Sequence, residues 1–251
     1  MSEFIRTAQT DGISRITLNR PPLNIFTAAM LREFTAALEA SADAHVVVLD
    51  AVGKAFCAGV DIAEHLPETA PPMLAQFHRA CRSLLALDVP TVAVVHGAAL
   101  GGGCELVMLC DFVVAARSAT FGQPEIKVGA FPPVAAAALV AVAGQRRAMS
   151  LMLLGDTISA EAAQAAGLVT TVVDDSALPD TVAQLIGKLT ALSRPALRLA
   201  KRAGLAAFRR AFDEALEQAE YLYVHELIRT EDAREGIVAF LEKRAPAWRH
   251  R

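Results

Sequence analysis

The chain has 251 residues, 54% of them hydrophobic and 20% charged, with a formal net charge of −3. This composition excludes a disordered protein and is sufficient for a sizeable core. The small net charge gives no indication of a nucleic-acid partner, and the N-terminus lacks the pattern of a signal peptide. The four cysteines form no CxxC pair, so we expect reduced thiols in a cytoplasmic protein that does not enter a membrane.

Short β-branched runs alternate with helical patterns over the first two thirds of the chain. The runs predict strands at 13–18, 45–50, 91–96, 112–116 and 168–173. Apolar residues at helical spacing predict two helices: Leu31, Phe34 and Leu38, which follow a possible cap at Thr27, and Leu74, Phe77, Cys81 and Leu84. This alternation indicates α/β layering with largely parallel sheets, in which the strands at 45–50 and 91–96 are covered on both faces.

The turn at residues 53–62, Gly-Lys-Ala-Phe-Cys-Ala-Gly-Val-Asp-Ile, follows the second predicted strand and is expected to open another helix. Taken alone, it is an ordinary strand-to-helix turn. Its backbone N–H groups could instead supply part of a two-donor oxyanion hole.

The most informative stretch is residues 95–111, where a buried strand enters three consecutive glycines and a helical pattern starts directly after them. Such glycines predict a close backbone approach or unusual dihedral angles. Free N–H groups at a helix N-terminus can stabilise a negative charge that develops during a reaction. The glycine spacing does not match GxGxxG, and no Gly-Lys-Ser/Thr follows, which argues against dinucleotide and phosphate-loop binding.

Two glutamates accompany this candidate anion site. Glu105 lies inside the apolar start of the helix, and Glu125 lies in a predicted loop within Phe-Gly-Gln-Pro-Glu. Either residue alone is more often structural. A buried carboxylate is costly unless it faces a cavity, and a pair of carboxylates beside an anion site indicates general acid–base chemistry.

After about Ser193 no strand pattern remains, and apolar residues recur at helical spacing. We expect two to four helices in this tail. They either pack on the protein's own core or contact a neighbouring subunit. The six histidines show no metal spacing and no Gly-x-Ser-x-Gly elbow occurs, so no metal site is predicted.

These motifs, in this order, resemble the crotonase family of enoyl-CoA hydratases and isomerases. The resemblance covers nearly the whole chain, through segments 18–24, 54–62, 96–105, 121–125, 155–169 and 239–244. It implies an α/β fold with a ββα spiral core over residues 1–192 and a C-terminal helical trimerisation region over 193–251. It also implies an acyl-CoA thioester substrate, no cofactor beyond the CoA of that substrate, and a trimer or a dimer of trimers.

The resemblance also implies roles for individual residues. The backbone N–H groups of Val60 and Gly102 would form the oxyanion hole, Glu105 would be the base that activates water, and Glu125 would protonate the α-carbon. Lys243 falls where members of the family often contact the CoA phosphate, although it is equally well explained as a solvated lysine. Further substrate-binding positions are Ala58, Gly59, Asp61, Ile62, Gly101, Pro132 and Pro133.

One segment departs from the hydratase pattern. Where that pattern continues into a glycine-rich loop, this chain has Phe131, Pro132 and Pro133, and the prolines lack N–H donors. We expect a changed pocket floor, and the segment is similar to relatives that hydrate alicyclic dienoyl-CoA thioesters. The expected activity is enoyl-CoA hydration, and the alternatives are a Δ3,Δ2-enoyl-CoA isomerase and a non-catalytic acyl-CoA-binding protein.

Overall fold

The computed structural model describes residues 3–251, which form an α/β fold. The strands are β1 (Ile5–Thr10), β2 (Ile13–Leu18), β3 (Val46–Ala51), β4 (Thr91–Val95), β5 (Ala98–Leu100), β6 (Phe112–Ala116), β7 (Thr120–Gly122), β8 (Thr157–Ser159) and β9 (Thr171–Val173). The α-helices are α1 (Ala28–Ala40), α2 (Ala70–Ala86), α3 (Gly102–Met108), α4 (Pro133–Ala143), α5 (Gln145–Leu154), α6 (Ala160–Ala165), α7 (Leu178–Thr190), α8 (Arg194–His225) and α9 (Glu231–Leu241).

The strands form a large and a small sheet. The large sheet has the order β1-β2-β3-β4-β6-β9 and is parallel except for the β1–β2 pair, whereas the small sheet has the order β5-β7-β8. All five predicted strands belong to the large sheet, which confirms the parallel layering. The prediction missed β1, β5, β7 and β8, because three of them have only three residues and β1 is exposed along most of its length.

Burial along β3 explains its continuous apolar run. Val47 and Leu49 belong to the main core, whereas Val46 and Val48 pack in a second cluster with residues of α7. The strand is therefore covered on both faces, as its sequence predicts. The predicted helix cap is also present, since the Thr27 hydroxyl accepts a hydrogen bond of 3.4 Å from the Met30 N–H.

Successive ββα turns build the core. In one turn the chain passes from β4 in the large sheet to β5 in the small sheet and then into α3, and β6, β7 and α4 repeat this path. A bridge between Cys57 and Ala99 places the segment after β3 beside β5. The turn at 53–62 consequently lies next to the start of α3, and the predicted spiral core is confirmed.

The C-terminal helices pack on the chain's own core. Helix α8 contacts α2 and α4, and α9 contacts the short 3-10 helices Ile62–His65 and Pro124–Val128. A largely buried ion pair of 2.6 Å between Lys201 and Asp111 joins α8 to the residue before β6, an inner strand of the large sheet. Within residues 3–251, no helix combines the length and apolar character that crossing a membrane requires.

Candidate active site

A cavity of about 560 Å³ lies where the two ββα turns meet. Its walls are residues 58–62, the start of α3, the 3-10 helix Pro124–Val128 and the segment 131–133. Residues of α2, Tyr223 from α8 and Phe240 from α9 also line it. The C-terminal helices therefore contribute directly to this cavity, which the sequence does not reveal.

Two backbone N–H groups at this cavity have no internal acceptor. Phe26 pairs with the residues on both sides of Val60: its N–H donates to the Gly59 carbonyl, and its carbonyl accepts from the Asp61 N–H, both at 2.9 Å. The Val60 N–H is left free between them. Gly102 is the first residue of α3, where an N–H has no intrahelical acceptor, and neither amide has another partner in the part of the chain that the structure describes.

The glycines before α3 allow close packing around these amides. Gly101 has φ +50° and ψ −126°, and a Cβ atom there would collide with the Glu125 Oε1 atom. A Cβ on Gly103 would lie 2.8 Å from the Cys57 Cβ atom, and one on Gly102 would lie 3.1 Å from the Phe77 ring. The close approach predicted from sequence is confirmed, and Gly101 also requires the dihedral freedom of glycine.

Glu105 lies in the first turn of α3, and its side chain is buried, with the residue only 3% exposed. Its Oε1 atom accepts a hydrogen bond of 2.8 Å from the N–H of Ala135, in the first turn of α4. Burial raises the pKa of Glu105, whereas hydrogen bonds from the N–H groups of Ala135 and Val134 act in the opposite direction. Burial disfavours the charged form of the Glu105 carboxyl group, and these two donors offset part of that effect.

Glu125 lies in the 3-10 helix Pro124–Val128, not in the irregular loop expected from sequence. Its Oε2 atom is buried and has no hydrogen-bond partner among the described residues. Burial, followed by the negative charge of Glu105, raises its pKa. Two N–H groups of α4 stabilise a charge on Glu105, whereas only the backbone of Glu125 itself does so for Glu125, and the arrangement therefore favours an ionised Glu105 and a protonated Glu125.

The proline segment differs in one respect from what its sequence suggests. We expected Pro132 and Pro133 to deprive the pocket of a backbone donor. In the structure Pro133 is the first residue of α4, where an N–H has no intrahelical role, and the next two residues donate to Glu105. The prolines thus begin a helix whose free N–H groups point at the carboxylate.

The structure brings most of the predicted site residues together. The cavity lining includes Ala58, Gly59, Val60, Asp61, Ile62, Gly101, Gly102, Glu105, Glu125, Pro132 and Pro133. Lys243 does not line it, and its contact with a CoA phosphate stays a prediction. The sequence analysis did not identify Phe77, His65, Lys127 or Tyr223 as lining residues, because the only signal at Phe77 was helical spacing and the other three carried none.

Neither metal ligands nor reactive thiols are evident at the cavity. Residues 3–251 contain no group of three or more His, Cys, Asp or Glu side chains placed to hold a metal ion. Cys57 and Cys104, which flank the glycines, are buried free cysteines, and burial raises the pKa of each thiol to about 12. Two carboxyl groups and two free amides face this cavity.

Comparison with known proteins gives the same family throughout. The family model "Enoyl-CoA hydratase/isomerase" matches residues 8–251. A Mycobacterium bovis protein named "Probable enoyl-CoA hydratase echA8" is 39% identical over 255 residues, which cover 99% of both chains. Cyclohexa-1,5-dienecarbonyl-CoA hydratase of Thauera aromatica is 35% identical over 252 residues, covering 97% of this chain and 95% of the relative.

The structural comparison agrees. A crystal structure of an enoyl-CoA hydratase from Mycobacterium avium subsp. paratuberculosis superposes with a TM-score of 0.89, at 31% identity and 99% coverage of both chains. The chain belongs to the enoyl-CoA hydratase/isomerase family and has the crotonase fold.

Proposed function

We propose that this protein adds water to the double bond of an α,β-unsaturated acyl-CoA thioester, or removes it, and that the acyl group is alicyclic. One observation carries the proposal: two buried carboxyl groups and two unpaired backbone N–H groups face a single cavity. The family and the hydratase names of its members place the enzyme among the carbon–oxygen lyases.

The free amides act on the thioester. The N–H groups of Val60 and Gly102 donate to the thioester oxygen, which becomes more negative as the double bond is attacked. Because both donors are held by backbone structure, they need no rearrangement as that charge develops. The bulk of the Val60 side chain does not interfere with this role, since only its N–H is used.

The two carboxyl groups divide the proton transfers. Ionised Glu105 takes one proton from a water molecule, whose oxygen forms a bond to the β-carbon. As the C–O bond forms, the electrons of the carbon–carbon double bond move onto the thioester, which becomes an enolate. The enolate then takes the proton of Glu125 at its α-carbon, and the thioester carbonyl is restored. Glu105 ends protonated and Glu125 ionised, and proton exchange with solvent restores the pair.

The acyl end of the cavity supports the alicyclic assignment. Its apolar lining includes the rings of Phe77 and Phe131 together with Met73, Pro132 and Pro133. The two prolines make this wall stiff, so binding a rigid ring requires little ordering of the protein. The Thauera relative, whose printed name specifies a cyclic dienoyl-CoA, supports the same class of substrate.

A panel of enoyl-CoA thioesters tests the proposal. Straight-chain crotonyl-CoA, a branched enoyl-CoA and cyclohexa-1,5-dienecarbonyl-CoA are assayed by mass increase in heavy-oxygen water. We expect label on the β-carbon and the highest kcat/KM for the cyclic substrate. Turnover of only the straight chain would contradict the alicyclic assignment. Double-bond migration without label would indicate an isomerase, and an absence of turnover across the panel would favour an acyl-CoA-binding protein.

A further inference from the structure

The hydroxyl group of Tyr223 is a polar group of the cavity that the reaction above leaves unused. Tyr223 lies near the end of α8, is 1% exposed, and lines the cavity together with both glutamates. Its ring packs against that of Phe131, with the ring centroids 5.2 Å apart. Packing therefore holds the side chain in place beside the reaction centre.

This hydroxyl makes no hydrogen bond to residues 3–251. Its oxygen is not one of the fully buried polar atoms without a partner, so it is accessible from the cavity. The hydroxyl of a largely buried tyrosine normally has a hydrogen-bond partner. Burial, with a further contribution from the negative charges of Glu125 and Glu105, raises the pKa of Tyr223. The group is thus a protonated donor at neutral pH, and no described residue accepts a hydrogen bond from it.

The remaining polar side chains of the cavity are occupied elsewhere. The His65 Nδ1 atom lies 3.0 Å from the Asp61 carbonyl oxygen, and the Lys127 Nζ atom lies 3.6 Å from the Asp156 carboxylate. Among the described lining residues, Tyr223 carries the only hydroxyl group. It is consequently the neutral donor available near the carboxyl pair.

We infer that the Tyr223 O–H donates a hydrogen bond to the oxygen atom that is added to, or removed from, the β-carbon. During hydration one lone pair of the water forms the C–O bond, and the other accepts from Tyr223. One water proton passes to Glu105, the second remains on the product hydroxyl, and Tyr223 keeps its own proton. Because hydration and dehydration share a transition state, the same bond also stabilises the departing oxygen.

This inference rests on the proposed hydratase function, and Tyr223→Phe tests it by removing only the hydroxyl. We expect kcat for hydration to fall roughly tenfold, the value of one neutral hydrogen bond. A second reaction serves as the comparison: exchange of the α-proton of a saturated acyl-CoA thioester in deuterated water. This exchange requires the two amides and a glutamate, but no oxygen is added to the substrate. That exchange, measured with butyryl-CoA and cyclohexanecarbonyl-CoA, should change by less than about twofold.

Tyr221→Phe is the matched control, because Tyr221 lies on the same helix, is 56% exposed, does not line the cavity and packs against the His225 ring. It should leave both reactions unchanged. If Tyr223→Phe lost hydration and exchange equally, or if a lower melting temperature accounted for the loss, Tyr223 would contribute only packing. Either result would overturn the inference. A change confined to KM would place the hydroxyl on the acyl group and overturn the inference.

The two proposals fail in different ways. Wild-type protein that hydrates neither crotonyl-CoA nor the cyclic dienoyl-CoA overturns the proposed function and this inference with it. Wild-type protein that hydrates either substrate, with Tyr223→Phe as active as wild type, overturns the role of Tyr223 alone.

Discussion

The backbone N–H of Ala135 donates a hydrogen bond of 2.8 Å to the buried carboxyl group of Glu105. This bond joins the first turn of α4 to the first turn of α3 and introduces an asymmetry between the two glutamates. Glu105 has a donor, whereas the Oε2 atom of Glu125 has no partner within the described chain. The same asymmetry distinguishes base from acid in the proposed reaction.

Replacing either glutamate by glutamine should abolish most of the hydration. Glu105→Gln and Glu125→Gln keep the size of the side chain but remove its ability to exchange a proton. Each should lower kcat by at least about 100-fold, and the double variant should lose less than the product of the two. Steady-state assays measure these losses, with exposed Glu214→Gln on α8 as the control. CoA affinity should barely change, and full activity of either single variant would contradict the mechanism.

The activity should depend on pH in a bell-shaped manner near neutrality. Hydration requires an ionised Glu105 and a protonated Glu125, and the pKa of each is raised above the ordinary carboxyl range. Activity is therefore lost on the acid side as Glu105 is protonated, and on the alkaline side as Glu125 ionises. A profile of kcat/KM against pH tests this. An acid limb near the ordinary pKa of glutamate would show that the burial has no effect on the base.

The buried carboxyl pair should also make the fold less stable as pH rises. A group whose folded-state pKa is raised contributes stability that is complete below its unfolded pKa and lost through the folded one. Glu125→Gln removes such a group, so the melting temperature of the variant relative to wild type should rise between pH 4.5 and about pH 8. Calorimetry of both proteins, again with Glu214→Gln, measures the difference. A gap that is constant with pH would contradict a raised pKa at Glu125.

The proline wall should influence the choice of acyl group more than the rate of the reaction. Changing Pro132 and Pro133 together to glycine loosens the segment beside the cavity and raises the ordering cost of binding a rigid ring. We expect the preference for cyclic over straight-chain substrates to shrink while turnover persists. Pro195→Gly, an exposed proline in the first turn of α8, is the control. An unchanged ranking of substrates would show that the segment does not contact the acyl group.

We expect the protein to associate into a trimer or a dimer of trimers. Large apolar side chains remain exposed on the single chain, among them Leu153 and Leu154 at the end of α5 and Leu199 on α8. Burying such residues against another copy of the chain favours association. Light scattering should give three or six times the chain mass of 26.6 kDa. A monomer at micromolar concentration would contradict the prediction.

Local patterns in the sequence determine much of this protein. Apolar and β-branched runs identify five of the six strands of the large sheet, Thr27 marks the start of α1, and the glycines before α3 indicate a tight backbone approach. The motifs around them also place Glu105 and Glu125 among the candidate catalytic residues. Each of these signals arises from neighbours within a few positions, where backbone propensity and side-chain periodicity act directly.

The tertiary structure alone decides how these pieces function together. The Val60 N–H is free because Phe26 pairs with the residues on either side of it, and the Tyr223 hydroxyl reaches the cavity because α8 packs across α4. The pKa values of the two glutamates likewise depend on burial and on a donor from another helix. Such contacts join residues that are far apart along the chain, and neither hydrophobic periodicity nor local backbone propensity specifies them.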